Sequence, residues 1–205
     1  MDSPRTISSI EQKSFEIIRS TVDLSHFTTL EAEVVARVIH ATADPTYAST
    51  MRFTPNAVEA GIAAVSMDTP IVTDVTMVAS GITTRPAVSA IATFHPTSGS
   101  HTRSYATMMA AVRHYGPHAI YVIGCSPTSL EALLDAELPE SPHLVIATPV
   151  GYVGAAEIKA RLRTVELCSI SNEGALGGSA VAAAITNALL YLHRGERHLH
   201  CDQGA

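Results

Sequence analysis

The sequence predicts an α/β fold: a single domain in three layers, α/β/α, around a mainly parallel sheet. Three observations carry this expectation. Short apolar runs without alternation, Ala119–Ile123 and Leu144–Ala147, read as strands covered on both faces. Between such runs lie longer stretches with helical periodicity, opened by capping residues, so strands and helices alternate along the chain. The 205 residues are 46% apolar but only 5% aromatic, with no Trp. The core must therefore be Ala, Val, Ile and Leu, which suits helices packed closely on a buried sheet.

Ser9 with Gln12 resembles a capping box before a first helix that runs to about Ser20. Thr28 with Glu31 is a second box, and it opens a helix through His40. In that helix Leu30, Val34 and Val38 recur every four residues, with Val35 and Ile39 beside them, so one face is apolar. Thr54-Pro55 reads as an N-cap followed by Pro in the first turn of a helix ending near Val65. Pro70 to Asp74 is a short strand, and Val88 to Phe94 a second apolar run of strand length. A helix from Thr102 to about His114 is stopped by Gly116-Pro117. Ala119–Ile123 is the next strand, and Ser126-Pro127 starts the helix after it. Leu144–Ala147, a helix from Gly154 to about Val165, a strand at Leu167–Ile170 and a helix from Gly177 to Leu192 complete the series. The domain is expected to span residues 1–195, with 196–205 a frayed polar tail.

Composition removes several classes of function. The formal net charge is -6, and no basic cluster points to nucleic acid. No apolar run reaches the roughly 18 residues of a membrane span. Met1 to Arg5 lacks the apolar region of a signal peptide. Cys125, Cys168 and Cys201 are odd in number and unevenly spaced, which speaks for a reducing compartment rather than a disulfide framework. A cytoplasmic protein is the expectation.

Parallel sheets bind ligands at the carboxyl ends of their strands. Asp74, Cys125-Ser126, Pro149 to Gly154 and Asn172 to Ser179 fall at those predicted ends. Two of these turns are rich in glycine, Gly151 to Gly154 and Gly174 to Ser179. Each opens a helix whose free N–H groups could hold an anion; ordinary tight turns are the equal alternative. His40 lies in a last helical turn, where the macrodipole favours imidazolium, and Arg37 shares its side of the helix. By residue pattern alone a core or capping histidine is the commoner role. Arg103, in a first turn where the dipole does not favour a cation, fits a residue kept to meet an anion; a solvated surface arginine is the alternative. Cys125, between a strand and a helix start, is a candidate nucleophile or a small buried thiol. Metal signals are weak. Gly116-Pro117 breaks the helical spacing of His114 and His118, and His198 to Cys201 falls in the tail.

Several ordered blocks together resemble the precorrin-8X methylmutase family, isomerases of corrin-ring biosynthesis. They are Ser14 to Ile18, His40 to Asp44, Pro70 to Ile82, Thr102 to Ser104, Ile123 to Thr128, Thr148 to Glu157 and Gly177 to Ser179. The resemblance implies that His40 is the acid–base residue. It would protonate a ring nitrogen of a tetrapyrrole so that a methyl group migrates from C-11 to C-12. Arg37, Arg103 and Ser14 would orient the substrate, whose acetates and propionates suit arginine's planar fork. Thr102, Ser104, Asp74, Gly151, Gly177 and Gly178 are the further substrate-binding positions implied. No organic cofactor and no catalytic metal is implied. The protein is expected to be a homodimer with its sites at or near the subunit interface. The chain departs from the family at Cys125-Ser126, where Asn-Ala is usual, and at Thr93 to Ser100. It also departs at Glu173 to Leu176, which lacks a basic residue often found there. Two other readings stand beside the isomerase: a corrinoid carrier without activity, and a Cys125-dependent hydrolase.

Overall fold

The computed structural model describes residues 9–96 and 101–199. The chain runs α1 (Ser9–Thr21), α2 (Thr29–Thr42), α3 (Tyr47–Thr50), β1 (Met51–Phe53), α4 (Ala57–Ser66), β2 (Ile71–Thr73), α5 (Thr76–Gly81) and β3 (Val88–Ser89). It continues with α6 (Ala90–Thr93), α7 (Arg103–Tyr115), β4 (Ile120–Ile123), α8 (Pro127–Asp135), β5 (Leu144–Ala147), α9 (Ala155–Leu162), β6 (Ser169–Asn172) and α10 (Ser179–His193). The strands form one sheet in the order β1-β6-β5-β4-β2-β3, parallel throughout except for β1 at its edge.

Period-two alternation in the central strands feeds two separate cores. Ile71, Ile120, Val122, Leu144, Ile146 and Ile170 point to the side of α1, α2, α4, α5 and α10. Val72, Tyr121, Ile123, Val145 and Ala147 point to the side of α7, α8 and α9. This is the three-layer α/β/α arrangement expected. The alanines of α10 let its neighbours come close. At Gly61 of α4, an added Cβ would stand 2.7 Å from Leu189 Cδ1, so the α4–α10 contact depends on glycine. No helix among the described residues is long and apolar enough to cross a membrane.

Several boundaries differ from expectation for local reasons. Ser9 is already helical, so the position before α1 lies outside the described residues. α4 begins at Ala57, not at Pro55. Thr54 instead prolongs the edge pairing, exchanging hydrogen bonds with Ser169 (Thr54 N to Ser169 O 3.0 Å; Ser169 N to Thr54 Oγ1 2.8 Å). Strand β1 was not expected, because three residues with an arginine at the centre carry no pattern; pairing with β6 makes it. β6 itself lies two residues later than expected, since its buried Ser169, Ser171 and Asn172 hide the apolar signal. Val88 to Phe94 is only briefly a strand before turning into α6. α2 is buried on almost every side rather than on one face: Ala32 to Ile39 are all buried, Glu33 and Arg37 included.

The chain beyond α10 is packed as far as Leu199, where a frayed tail was expected from 196. The backbone N–H groups of His198 and Leu199 both donate to the Glu33 carboxylate at 2.8 Å. Glu33 is thus a buried carboxylate with main-chain partners, and the segment is tied to α2. His200 and Cys201 lie outside the described residues.

Candidate active site

The frame of the His40 region is set by caps. Thr28 Oγ1 accepts the N–H of Glu31, and Glu31 Oε2 accepts the N–H of Thr28 at 2.9 Å, closing the expected capping box. At the other end Ala43 takes the left-handed conformation and its N–H donates to Ile39 O at 2.8 Å. The helix therefore stops just after His40 and leaves that residue in its last turn, half-buried.

His40 Nδ1 lies 2.8 Å from Ser14 Oγ on α1. The ring of Phe15 stacks on the imidazole with centroids 5.0 Å apart and planes 17° apart. One hydrogen bond and one stacked ring thus hold the orientation of His40. His40 and Ser14 open onto a cleft of about 500 Å³, lined also by Ile10, Lys13, Ile17, Ile18, Ile39 and Pro45 among others. The walls are mostly aliphatic, and Ile10 and Ile17 are exposed at its mouth.

Arg37 does not line that cleft. It is buried, and its Nη1 pairs with Glu11 Oε1 at 2.7 Å. Its Nη2 meets His198 Nε2 at 2.6 Å, and its guanidinium lies over the rings of Phe15 (4.9 Å) and Tyr191 (4.8 Å). The spacing logic was right that Arg37 and His40 share a side of α2. What they face differs. Glu11 and Ser14, three apart on α1, meet Arg37 and His40, three apart on α2. Arg37 takes the inward place and His40 the outward one, so the expected carboxylate anchor is an internal brace.

The strand ends form a second region. Asp74 is buried, and its carboxylate accepts the N–H groups of Val75 (2.9 Å), Gly124 (3.2 Å), Cys125 (2.8 Å) and Ser126 (2.8 Å). Three successive N–H groups make a nest for an anion, and the chain fills this one with its own carboxylate. Burial pushes the Asp74 pKa up and these N–H groups draw it back. Asp74 thus ties β2 to the turn after β4 with all its bonds turned inward.

From Ser126 a ladder of hydroxyls leads outward: Ser126 Oγ to Thr128 Oγ1 at 3.0 Å, and Thr128 Oγ1 to Thr102 Oγ1 at 2.8 Å. Thr102 caps α7 by accepting the N–H of Tyr105. Arg103 is exposed, donates to Ile91 O at 3.2 Å and makes no ion pair with a described carboxylate. Ser104 contributes its carbonyl, which accepts from Ser129 Oγ.

Gly151, Gly177 and Gly178 come together. Gly151 N donates to Ala175 O, and Gly178 N to Thr148 O at 2.8 Å. Gly177 has φ +150°, and a Cβ there would stand 2.2 Å from Thr148 O, so no other residue fits without moving the backbone. Tyr152, Val153 and Leu176 are exposed on the same rim. Cys125 fits a nucleophile poorly. Desolvation, with the Asp74 carboxylate beside it, raises its thiol pKa, whereas an active thiolate needs the opposite.

The residues expected at a site therefore fall into two groups. Ser14 and His40 make one; Thr102, Arg103, Asp74 and the three glycines make the other. Arg37, one turn before His40, lies over Tyr191 in the last turn of α10, while the glycine rim opens its first turn at Ser179. Twelve residues separate these points along α10, a rise of about 18 Å. Pattern reasoning missed Phe15, and it left His198 in the tail; the two stack because the segment after α10 returns to α1, which no local pattern shows. It named Ser126 as a residue at a strand end but did not single out Thr128 or Lys159. Lys159 did leave a signal, since it shares the apolar helical phase of Ala155, Ile158 and Leu162.

Comparison with known proteins bears on both groups. The profile of the precorrin-8X methylmutase family matches residues 9–192. The chain is 35% identical over 204 residues to the cobalt-precorrin-8 methylmutase of Methanocaldococcus jannaschii, covering 92% of this chain and 95% of that one. It is 35% identical over 196 residues to the precorrin-8X methylmutase of Pseudomonas aeruginosa, covering 88% and 93%. The crystal structure of precorrin-8X methylmutase from Thermus thermophilus superposes with a TM-score of 0.81 at 34% identity, over 92% of this chain and 98% of that one.

Proposed function

The chain belongs to the precorrin-8X methylmutase family, and we propose that it moves a methyl group from C-11 to C-12 of precorrin-8X or of its cobalt form. The products are hydrogenobyrinate and cobyrinate respectively. The observation that carries this reading is the His40–Ser14 pair at an aliphatic cleft, in a chain of this family.

In the proposed mechanism His40 is the proton donor and acceptor. As imidazolium His40 donates from Nδ1 to Ser14 Oγ and presents its Nε2 proton to a substrate ring nitrogen; the neutral ring left behind keeps its Nδ1–H on Ser14, and Nε2 takes the proton back once the methyl group has moved. Protonation draws electron density out of the conjugated ring and lowers the barrier to a 1,5-sigmatropic shift. Such a shift needs no covalent intermediate with the protein, so positioning supplies the rest. It calls for no organic cofactor or catalytic metal; cobalt, where present, belongs to the substrate.

The substrate's many carboxylates need cationic and N–H partners. Arg103, with no described ion pair, and the rim around Gly151, Gly177 and Gly178 are assigned that role, with Thr102 and Ser104 beside them. Arg37 is not. Two groups of site residues at opposite ends of α10 favour a homodimer in which each cleft is completed by the rim of the second subunit. Exposed Ile10 and Ile17 at the cleft, and Tyr152, Val153 and Leu176 at the rim, suit such an interface. We place this dimer in the cytoplasm.

The test is an anaerobic absorbance scan with precorrin-8X, and separately with its cobalt form, for wild type and His40→Ala. Wild type should convert one or both, because the shift changes the conjugation. His40→Ala should lose roughly 10²–10⁴-fold in turnover while remaining folded by circular dichroism. A fully active His40→Ala protein would sink the mechanism. Binding of either substrate by wild type without spectral change would make the protein a carrier instead.

A further inference from the structure

Lys159 occupies a place where an apolar side chain would ordinarily stand. It is fully buried on α9, between Ala155 and Leu162 of the same face. Its ammonium donates to Asn172 Oδ1 at 3.0 Å and to Leu176 O at 2.6 Å. Both acceptors are neutral, and no described carboxylate forms an ion pair with it. A buried charge without a counter-charge is costly, and a methionine would fill the space more cheaply unless the charge has a use.

The acceptors identify that use. Asn172 ends β6 and Leu176 immediately precedes Gly177-Gly178, so Lys159 holds both sides of the turn that opens α10. Asn172 Nδ2 reinforces the turn by donating to Leu176 O at 2.7 Å. Arg163, the residue just past the end of α9, donates to Asn172 O at 3.3 Å. Glu173, the only acid in the turn, is taken by Arg52 in a two-point contact at 3.0 and 2.7 Å. On the outer side of α9, Arg161 pairs with Asp135 of α8, and Glu157 stands in the first turn. The charges left without an acid beneath Leu176–Gly178 are therefore positive.

We propose that Lys159 is a positioning residue for substrate binding, which fixes the Asn172–Gly178 turn from below and sets a positive charge behind the first N–H groups of α10 for a substrate carboxylate. This rests on the isomerase reading above. Bonding and charge can be separated by pH. Burial, with a smaller push from Arg163, lowers the Lys159 pKa to about 8. A neutral amine still has two N–H donors for its two acceptors, so above that pH the turn keeps its shape and loses its charge.

The experiment is steady-state kinetics from pH 7 to 9, with whichever of precorrin-8X and its cobalt form wild type converts, for wild type, Lys159→Arg, Lys159→Gln and Lys159→Met. In wild type KM should rise across this range, while kcat, which follows the His40 proton, should show the same pH profile in wild type and in every Lys159 variant. Lys159→Arg, which does not titrate there, should show a flat KM near the wild-type value at pH 7. Lys159→Gln and Lys159→Met should show a flat KM raised roughly tenfold. The glutamine keeps a donor without charge, so it decides the matter if the methionine variant fails to fold. A wild-type KM independent of pH, with Lys159→Gln equal to wild type, overturns the proposal. Should wild type convert neither precorrin-8X nor its cobalt form, the isomerase reading falls. Amide hydrogen exchange over Gly174–Ser179 then decides the brace: faster exchange in Lys159→Gln upholds it, and rates equal to wild type overturn it.

Discussion

Around His40 the working atoms belong to side chains, whereas along the strand ends most belong to the backbone. The cleft is made where two helices cross: Ser14 and Phe15 on α1 orient His40 on α2, and the Glu11–Arg37–His198 cluster braces the crossing from within. The rim is made by turns. Its donors are N–H groups, and its shape depends on Gly177 lying against Thr148 O. The difference follows from chemistry. A proton donor must titrate near neutral pH, and only a side chain does that. Carboxylates need only aligned dipoles and some positive charge, which helix starts and a buried lysine can supply.

If the comparison is right, the cleft should fail when a side chain is removed and the rim when a methyl group is added. The largest effect on stability is expected at Arg37→Leu. It removes the buried cation that bonds both Glu11 and His198 and should cost about 3–5 kcal/mol in urea unfolding. A loss below about 1 kcal/mol would show that aromatic packing, not the ion pair, frames the cleft.

Gly177→Ala should come next. The added carbon meets backbone 2.2 Å away at a positive φ, so about 1–3 kcal/mol of stability should go. Because the damage is confined to the rim, KM should rise far more than kcat falls; a fall in kcat as large as the rise in KM would join rim and cleft into one unit. The smallest effect is expected at Thr28→Ala, which removes half of the capping box of α2 and should cost about 1 kcal/mol in thermal or urea unfolding. Turnover should be unchanged, since the cap lies at the far end of the helix from His40. A fall in kcat would mean that the cleft senses the whole of α2.

Much of the fold was legible in the residues. β4 and β5 are apolar at every position because both faces are covered, and such runs announce themselves. The Thr28–Glu31 box and the Thr102 cap are local chemistry, and both helices begin where those residues place them. The edge strand β1 and the polar strand β6 were not legible as they stand. They pair with each other across more than a hundred residues of chain, and a three-residue strand has no period to read.

The site divides the same way. His40 and Ser14 were named from the sequence, and they are within hydrogen-bond distance. Arg37 shows the limit of that reasoning: helical spacing tells which residues share a side, but not whether that side faces solvent or another helix. Only the crossing of α1 with α2, and the return of the chain to Leu199, buried its charge between Glu11 and His198. Lys159 is the converse case. Its place on an apolar helix face is visible in the sequence, while its purpose appears only once β6 and the start of α10 lie above it. Local energies, such as caps, turns and the burial of an apolar run, are properties of a few adjacent residues, so the sequence by itself determined the elements. The fate of a buried charge is decided by partners distant along the chain, and those are chosen by the tertiary structure alone.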